Sequence, residues 1–309
     1  MRVLVVCSGN KGEASPFVRE QCEQLESAGC DVSLFLVRGK GWRGYLSNRS
    51  SLVSAIRDFQ PDIVHAHSGM SALLSGLQRK VPVVATFHGS DVNVPKLRFF
   101  TRLAILLTQA HIVVSEDMKR KLNRSDIHVL PCAVDTAVFR PSEMTQARRL
   151  MGWNMHDRYI LFSSSFSNTV KNAPLAHAAV AALNDSSIHL IELSNKTRAE
   201  VAAMLNACDV ALMTSFSEGS PQFIKEAMAC GTPVVSTPVG DVAELSSNVA
   251  GHFLVEFDAA KLANALHEAM QYRSISHLTN GPEMIETRGL FPAAVAAKLV
   301  RLYQSILKR

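Results

Sequence analysis

Short apolar runs rich in β-branched residues recur along the whole chain, separated by segments long enough for a helix. The runs in the first half are Arg2–Cys7, Asp31–Val37, Asp62–His65, Pro82–Phe87, His111–Val114 and His128–Pro131, and those in the second half are Tyr159–Ser163, His189–Leu193, Asp209–Thr214, Pro233–Ser236 and His252–Val255. Continuous apolar runs of this length are typical of strands buried on both faces of a parallel sheet. Their alternation with helical segments predicts an α/β protein with two doubly wound, Rossmann-like domains.

The domain boundary is expected in the polar stretch Arg140–Arg149, which contains Pro141. This gives a first domain of residues 1–140 and a second of residues 141–292, both of ordinary size. The last segment, residues 293–309, is amphipathic and follows Pro292, which favours a helix start. We expect this helix to pack back on the first domain.

Composition narrows the class of protein. A hydrophobic content of 47% and a charged content of 19% are typical of a globular chain with a large core. No run approaches the roughly 20 apolar residues of a membrane span, and the N-terminal run is too short for a secretory signal. The six cysteines lack CxxC spacing, which favours buried free thiols in a reducing cytoplasm. The histidines include His65 and His67 but no HExxH motif, so we expect no metal site.

Positive charge is concentrated in the first domain. Residues 1–140 hold 18 Lys and Arg against 12 Asp and Glu. The basic groups are Arg38, Lys40 and Arg43, then Lys96, Arg98 and Arg102, then Lys119, Arg120, Lys121 and Arg124. Such patches fit peripheral contact with an anionic membrane or a phosphate-bearing acceptor, and the alternative is a merely solvated basic face. No recognition motif accompanies them, so nucleic acid is not expected as a partner.

The stretch Asp209–Pro238 predicts a helix start that is open to an anion. Ser220 suits the N-cap, Pro221 the first helical position and Gly231 the C′ position. The first-turn N–H groups near Gln222 and Phe223 would then be available to an anionic ligand.

Two carboxylates flank this helix start. Glu218 lies in the preceding loop beside Gly219, and Glu226 lies inside the helix, about one turn beyond Gln222. Either acid alone would be taken as solvated. Together with the helix start, they favour a site for a polyhydroxylated, phosphate-bearing ligand.

Other polar residues follow the predicted strands. In open α/β sheets, ligands bind beyond the carboxyl ends of the strands. The segments at such ends are Ser8–Gly12, His88–Asp91, Ser163–Lys171 and Ser215–Gln222. With two domains facing each other, these segments are expected to line one cleft, with a nucleotide on one wall and an acceptor on the other.

These residues resemble glycosyltransferase family 4, the large retaining group with the GT-B fold. The resemblance rests on the E-x7-E spacing of Glu218 and Glu226 followed by EAMACGTPVV, on TFHGSD at Thr86–Asp91, and on the pattern that runs from Val129 through Asp135 to Pro141. It covers most of the chain, and the motif of the second half is the more specific one.

The resemblance implies a role for each matching residue. Glu226 would hydrogen-bond the donor ribose, Glu218 the donor sugar, and Lys171 would stabilise the leaving diphosphate. His88 would lie near the donor sugar. The implied catalytic residues are therefore Glu218, His88 and Lys171, and the implied donor-binding residues are Glu226, Gly219, Ser220, Pro221, Gln222, Phe223, Gly9 and Gly12.

Two departures from the family pattern concern the phosphate end of the donor. Phe166 stands where the family has an arginine, so Arg198 or Lys11 is expected to replace that charge. The loop Ser8–Gly12 is less glycine-rich than in the family, which leaves its contacts open. Since no DxD metal motif is present, the resemblance implies metal-independent transfer, with Lys171 and the helix dipole in place of a cation.

Some of these residues have a structural alternative. His88 could be a core histidine held by the backbone, and Lys171 could belong to the cap of the following helix. His65 and His67 are expected to be structural, and Asp91 either forms a turn or orients the loop that carries His88.

The sequence therefore predicts a retaining glycosyltransferase that uses a UDP- or GDP-sugar as substrate and needs no cofactor. Its acceptor would be a saccharide or lipid-linked saccharide in bacterial polysaccharide, lipopolysaccharide or glycolipid synthesis. The expected location is the cytoplasm, with association at the inner face of the membrane as an option. The alternatives are a nucleotide-sugar epimerase of the same fold and a non-catalytic nucleotide-sugar-binding subunit, which Phe166 would support.

Overall fold

The computed structural model describes residues 1–308. The chain folds into two compact units. The first unit is Met1–Ala133 with the C-terminal segment that begins at Pro292, and the second is Val134–Phe291. Residues 134–140, assigned to the first domain by sequence, thus lie in the second unit. Phe139 packs in the core of that unit, and the Val134 amide donates to the Leu290 carbonyl at 2.9 Å.

The first unit is built on a six-stranded parallel sheet with the order β2-β1-β3-β4-β5-β6. Its elements are β1 (Arg2–Ser8), α1 (Pro16–Ser27), β2 (Asp31–Val37), α2 (Gly41–Leu46), α3 (Arg49–Phe59), β3 (Ile63–His67), α4 (Gly69–Gly76), β4 (Val83–Phe87), α5 (Ser90–Asn93), α6 (Pro95–Ile105), β5 (Ala110–Val113), α7 (Glu116–Leu122) and β6 (His128–Val129).

The second unit holds a five-stranded parallel sheet with the order β11-β10-β9-β7-β8. Its elements are α8 (Met144–Met151), β7 (Arg158–Phe162), a 3₁₀ turn (Thr169–Lys171), α9 (Ala173–Ala182), β8 (Ile188–Glu192), α10 (Arg198–Ala207), β9 (Val210–Met213), α11 (Gln222–Cys230), β10 (Val234–Ser236), α12 (Val242–Ser246), β11 (His252–Leu254), α13 (Ala259–Ser276) and α14 (Gly281–Thr287).

Each predicted apolar run is a strand, and alternation of side chains explains why the runs are continuous. Val3 and Val5 enter the cluster beneath α1, whereas Leu4 and Val6 enter the cluster on the opposite face of the sheet. Since successive side chains point to opposite faces, a strand covered on both sides favours apolar residues at every position, and a buried polar residue such as His65 needs a hydrogen-bond partner. The doubly wound α/β fold is confirmed.

The last helix, α15 (Pro292–Leu307), belongs to the first unit. Val295 and Leu299 bury against the sheet, and the hydroxyl of the fully buried Tyr303 lies 2.5 Å from His65 Nδ1. Arg309, the last residue of the predicted helix, lies outside the described residues.

By length and hydropathy alone, the segment Gly281–Leu307 could cross a membrane, in contrast to the expectation from the sequence. Helices that bury an apolar face in a protein core pass the same test, as Val295 and Leu299 of α15 illustrate. The segment is therefore weak evidence for a span.

Candidate functional site

Helix α11 carries the start that the sequence predicts to be open to an anion, but its cap differs from the prediction. Pro221 is the N-cap, with ψ 120°, and the helix runs from Gln222 to Cys230. Ser220 is not the N-cap because the extended Pro221 separates it from the first turn, and it lies beside the Asp241 carboxyl instead. Gly231 takes the left-handed C-cap position with φ 69°, as predicted. The first-turn N–H groups thus still lack intrahelical partners.

Lys171 and Glu218 come together at this helix start. Lys171 Nζ lies 2.6 Å from Glu218 Oε1, and the two side chains are only 19% and 14% exposed. The pair joins the segment that follows β7 to the segment that follows β9, which are adjacent strands. Ion pairs that are partly withdrawn from water are screened less than surface pairs.

Buried Thr214 positions the backbone of Lys171. Its hydroxyl donates to the carbonyls of Lys171 and Asn172 at 2.9 and 3.0 Å, and the Phe216 amide donates to the Val170 carbonyl at 2.9 Å. These bonds tie the lysine turn to the loop that holds Glu218. The sequence alone did not identify Thr214, because it reads as the end of an apolar strand.

The other site carboxylate, Glu226, pairs with Arg198. Arg198 Nη1 donates to Glu226 Oε1 at 2.7 Å, and Glu226 is 3% exposed. The guanidinium also lies 4.5 Å from the centre of the Phe139 ring. A capping box formed by Thr197 and Glu200 starts α10 and places Arg198 in its first turn.

Gly240 determines how closely the Glu218 loop can pack. A Cβ atom at Gly240 would lie 2.7 Å from the Gly219 carbonyl oxygen and 3.1 Å from that of Glu218. With φ +61°, the residue also has a conformation that L side chains resist. Gly240 therefore allows the close approach that fixes the Glu218 carbonyl.

Asp241 lies behind the helix start and is 4% exposed. Burial raises its pKa to about 6, while the nearby Ser220 hydroxyl and the charge of Lys225 oppose the rise. Lys225 is itself fully buried. The carboxyl thus changes its charge near neutral pH, close to the loop that precedes α11.

Phe166, which departs from the family pattern, packs at the edge of a hydrophobic core of the second unit. Its ring lies 5.4 Å from that of Phe162 and 4.6 Å from that of His177, and its amide donates to Glu192 Oε2 at 2.8 Å. No charge occupies this position. Arg198, one of the two replacements expected from the sequence, lies beside Glu226, and its contact with a phosphate stays a prediction.

His88 lies in the first unit, at the end of a buried histidine network. Its Nε2 is 2.8 Å from His67 Nδ1, its Nδ1 is 3.8 Å from Cys132 Sγ, and its ring packs on Phe17 with centroids 4.6 Å apart. A sugar that hydrogen-bonds to this ring would therefore have to replace one of these partners.

The two deeper histidines are buried and have hydrogen-bond partners. His65 Nε2 lies 2.7 Å from the Thr86 hydroxyl, and the His65 and His67 rings are 4.5 Å apart. Burial lowers the pKa of His65 to about 3 and that of His67 well below its ordinary value, so both are neutral near pH 7. Asp91 accepts the amides of Gly69 and His88 at 2.9 and 3.0 Å and so orients the His88 loop.

The two glycines after β1 differ in their surroundings. A Cβ at Gly9 would meet the Leu36 Cβ at 2.7 Å, so this glycine allows two segments to pack closely. Gly12 has φ +95° with no atom within 4 Å of an added Cβ, which leaves its backbone accessible. Contacts of either glycine with a donor stay predictions.

All six cysteines are free thiols, as predicted. Within residues 1–308 no group of three or more His, Cys, Asp or Glu side chains is placed to hold a metal ion.

The sequence models of two protein families match the chain, one after the other. "Glycosyltransferase Family 4" matches residues 2–138, and "Glycosyl transferases group 1" matches residues 168–272. The second match contains Lys171, Glu218 and Glu226, which the structure places around the start of α11.

Two of the curated relatives are glycosyltransferases by name. The chain is 28% identical over 289 residues to a protein of Bacillus subtilis (strain 168) named for a glycosyltransferase of teichuronic acid biosynthesis, TuaC, covering 82% of this chain and 72% of the relative. It is 26% identical over 254 residues to a D-inositol 3-phosphate glycosyltransferase of Mycobacterium marinum, covering 66% of this chain. The chain spans only 54% of the length of that second relative.

Solved structures share the fold over nearly the whole chain. A sucrose-phosphate synthase from Thermosynechococcus elongatus matches with a TM-score of 0.85 and 16% identity, covering 100% of this chain and 99% of that one. Anabaena Alr3699/HepE, in complex with UDP and glucose, matches with a TM-score of 0.80 and 17% identity, covering 99% and 100%. The fold is thus GT-B. The two family matches and the relatives, together with the arrangement of Glu218 and Glu226, show that the chain belongs to the glycosyltransferases of family 4 and group 1 type.

Proposed function

We propose that this glycosyltransferase takes a sugar from a nucleotide-diphosphate donor, transfers it with retention at the anomeric carbon, and needs no metal ion. The acceptor would be a hydroxyl of a saccharide or lipid-linked saccharide. The observation that carries the proposal is the Lys171–Glu218 pair, 2.6 Å apart at the start of α11.

The charges of the site suit the successive parts of such a donor. Glu226 and Arg198 supply a carboxylate and a cation for ribose and phosphate. The first turn of α11 adds N–H donors and the positive end of its dipole for the diphosphate. Lys171 can stabilise the leaving charge and Glu218 can accept from sugar hydroxyls.

The chemistry needs one bond broken and one formed on the same face of the sugar. The bond between the anomeric carbon and the diphosphate oxygen breaks, and the acceptor oxygen bonds to that carbon. The acceptor proton passes to the leaving phosphate oxygen, so the products are a glycoside and a nucleoside diphosphate. The proton needs no protein base, whereas the leaving charge needs Lys171.

The similar proteins support a donor class and an acceptor class. A solved structure of the same fold holds UDP and glucose, and the Bacillus relative is named for teichuronic acid biosynthesis. We therefore propose a UDP-sugar as the first donor to test and a bacterial surface glycan or its lipid-linked precursor as the acceptor. This substrate would place the reaction in the cytoplasm.

The test is a panel of UDP- and GDP-sugars, with nucleotide release followed by chromatography and product configuration by NMR. We expect release of UDP or GDP, an anomeric configuration equal to that of the donor, and no change with EDTA. Inverted configuration would refute retention, and loss in EDTA that Mg²⁺ restores would refute metal independence. An epimerised sugar still joined to its nucleotide would refute transfer.

Glu226→Ala should weaken nucleotide binding. Loss of a buried, charge-assisted acceptor of hydroxyl hydrogen bonds should raise the Kd for UDP or GDP by about 10- to 100-fold. Isothermal titration calorimetry measures this, with Glu268→Ala, an exposed glutamate of α13, as the matched control. Equal Kd values for the two variants would show that Glu226 does not contact the nucleotide.

Gly240→Ala should slow turnover by moving the Glu218 loop. Gly152→Ala is its matched control, because Gly152 has a similar φ of +67° but no atom within 4 Å of an added Cβ. Left-handed strain should cost both variants about 1 kcal/mol of stability. Gly240→Ala should lose more than this, because its Cβ also meets the Gly219 carbonyl oxygen. Only Gly240→Ala should lower the rate of nucleotide release, by up to about 100-fold, since small misplacements of reacting groups are costly. Similar rates in the two variants would show that the loop tolerates the shift.

A further inference from the structure

Helix α6 exposes a stripe that alternates cations with large apolar side chains. Lys96, Phe99, Arg102 and Leu106 follow one another at spacings that keep them on one side of the helix. Phe99 is 60% exposed and Leu106 is 71% exposed. The opposite side buries Thr101, Ala104 and Ile105 in the unit. A helix that is only packed against a core would place polar residues on its outer face.

The cations of this stripe have no internal partner. Lys96 and Arg102 form no ion pair or side-chain hydrogen bond within residues 1–308. Beside them, α7 adds exposed basic residues, and a groove of about 350 Å³ runs between the two helices. The groove is lined by Arg102, Ile105, Leu106, Leu122, Asn123 and Arg124.

Two of the three acids in α7 and the loop after it are neutralised, whereas Glu116 is exposed and forms no ion pair among residues 1–308. Asp117 pairs with Lys121 at 2.5 Å, and Asp126 pairs with Arg124 at 2.7 Å. The surface therefore presents an excess of positive charge around exposed apolar side chains.

We propose that the α6 stripe docks the first unit on an anionic lipid bilayer, with Phe99 and Leu106 in the headgroup region and Lys96 and Arg102 on lipid phosphates. Interfacial helices combine apolar insertion with attraction to anionic lipids in this way. Nucleic acid would use the cations but offers no hydrocarbon to Phe99 and Leu106. A protein partner would favour a contiguous apolar patch, whereas here each apolar side chain stands between cations.

The test is flotation of the purified protein with vesicles of phosphatidylcholine alone or with phosphatidylglycerol. We expect binding to the anionic vesicles at least tenfold tighter than to the neutral ones. Phe99→Ser with Leu106→Ser, and separately Lys96→Gln with Arg102→Gln, should each weaken binding at least tenfold. Because the assay contains neither donor nor acceptor, its result is independent of the proposed transfer reaction.

The matched charge control is Lys298→Gln with Arg301→Gln, two exposed cations of α15 in the same unit. The matched apolar control is Leu150→Ser, which is 75% exposed in the second unit. Both controls should bind the anionic vesicles like the wild type. Equal losses in the α15 control and the α6 charge variant would overturn the assignment to α6. Unchanged binding after the Phe99 and Leu106 replacements would overturn bilayer docking in favour of a purely electrostatic partner.

Discussion

Replacing Lys171 by methionine should lower the rate of nucleotide release from the cognate donor by about 10²- to 10³-fold, the usual cost of removing one preorganised group that stabilises transition-state charge. Lys171 is the basic side chain that contacts Glu218, and the family arginine that would assist it is replaced by Phe166. In the proposed mechanism the leaving-group charge therefore depends on this lysine, on the start of α11 and on Arg198. The effect should appear in kcat more than in the Kd for UDP, since the charge grows only as the bond breaks.

The control is Lys261→Met, which removes an exposed lysine that pairs with Glu256 in the same unit. It should turn over like the wild type. Glu218→Gln separates the two halves of the pair, because it keeps Lys171 but removes its counter-charge. We expect Glu218→Gln to retain UDP binding and lose donor turnover. A Lys171→Met variant with normal kcat would show that Lys171 does not stabilise the leaving-group charge.

The strands and the ends of α11 show how much a linear pattern can specify. β1 is predictable because the centre of a strand buried on both faces favours a continuous apolar run, here Val3–Cys7. Gly231 is predictable because a left-handed C-cap favours glycine over nearly every other residue. The N-cap was predicted one residue too early, at Ser220, since serine and proline each suit more than one position of a helix start.

Partnerships between distant segments were harder to predict. Glu218 was identified from its spacing to Glu226, but its ion pair with Lys171 joins residues 47 positions apart. Thr214 reads as the last residue of a strand, and only the fold brings its hydroxyl to the Lys171 carbonyl. His88 was predicted from a short motif, and nothing in that motif indicates that its ring nitrogens face His67 and Cys132.

Arg273 reads in the sequence as an ordinary residue of a long helix, yet it is 4% exposed. Its guanidinium donates to the Asn206 and Gly231 carbonyls, both at 3.2 Å, and to that of His277. These carbonyls lie at the C-terminal ends of α10, α11 and α13. The nearby carboxylate, Asp209, already accepts from two other arginines. The negative ends of three helix dipoles therefore compensate the buried charge.

Arg273→Met should destabilise the second unit by on the order of 2–4 kcal/mol, because an unmade buried hydrogen bond costs about 1–3 kcal/mol. The buried Asn206 carbonyl loses its Arg273 donor, the Gly231 carbonyl keeps only the Thr279 amide, and the carbonyl of the exposed His277 turns to water. Arg273→Lys should fall between methionine and the wild type, since it keeps the charge but not the planar fork. Trp153 packs on the core of this unit, so its fluorescence in a Trp42→Phe background reports urea unfolding of this unit alone.

Arg149, an exposed arginine of α8 in the same unit, provides the matched control, and Arg149→Met should change stability by less than about 0.5 kcal/mol. Equal urea midpoints for the two methionine variants would show that the helix ends are satisfied without Arg273. Arg273 holds the C-terminal end of α11, whereas the proposed donor site lies at its N-terminal end. The folded fraction of Arg273→Met should therefore release nucleotide at close to the wild-type rate. A fall in that rate without unfolding would show that the contacts of Arg273 also position the site.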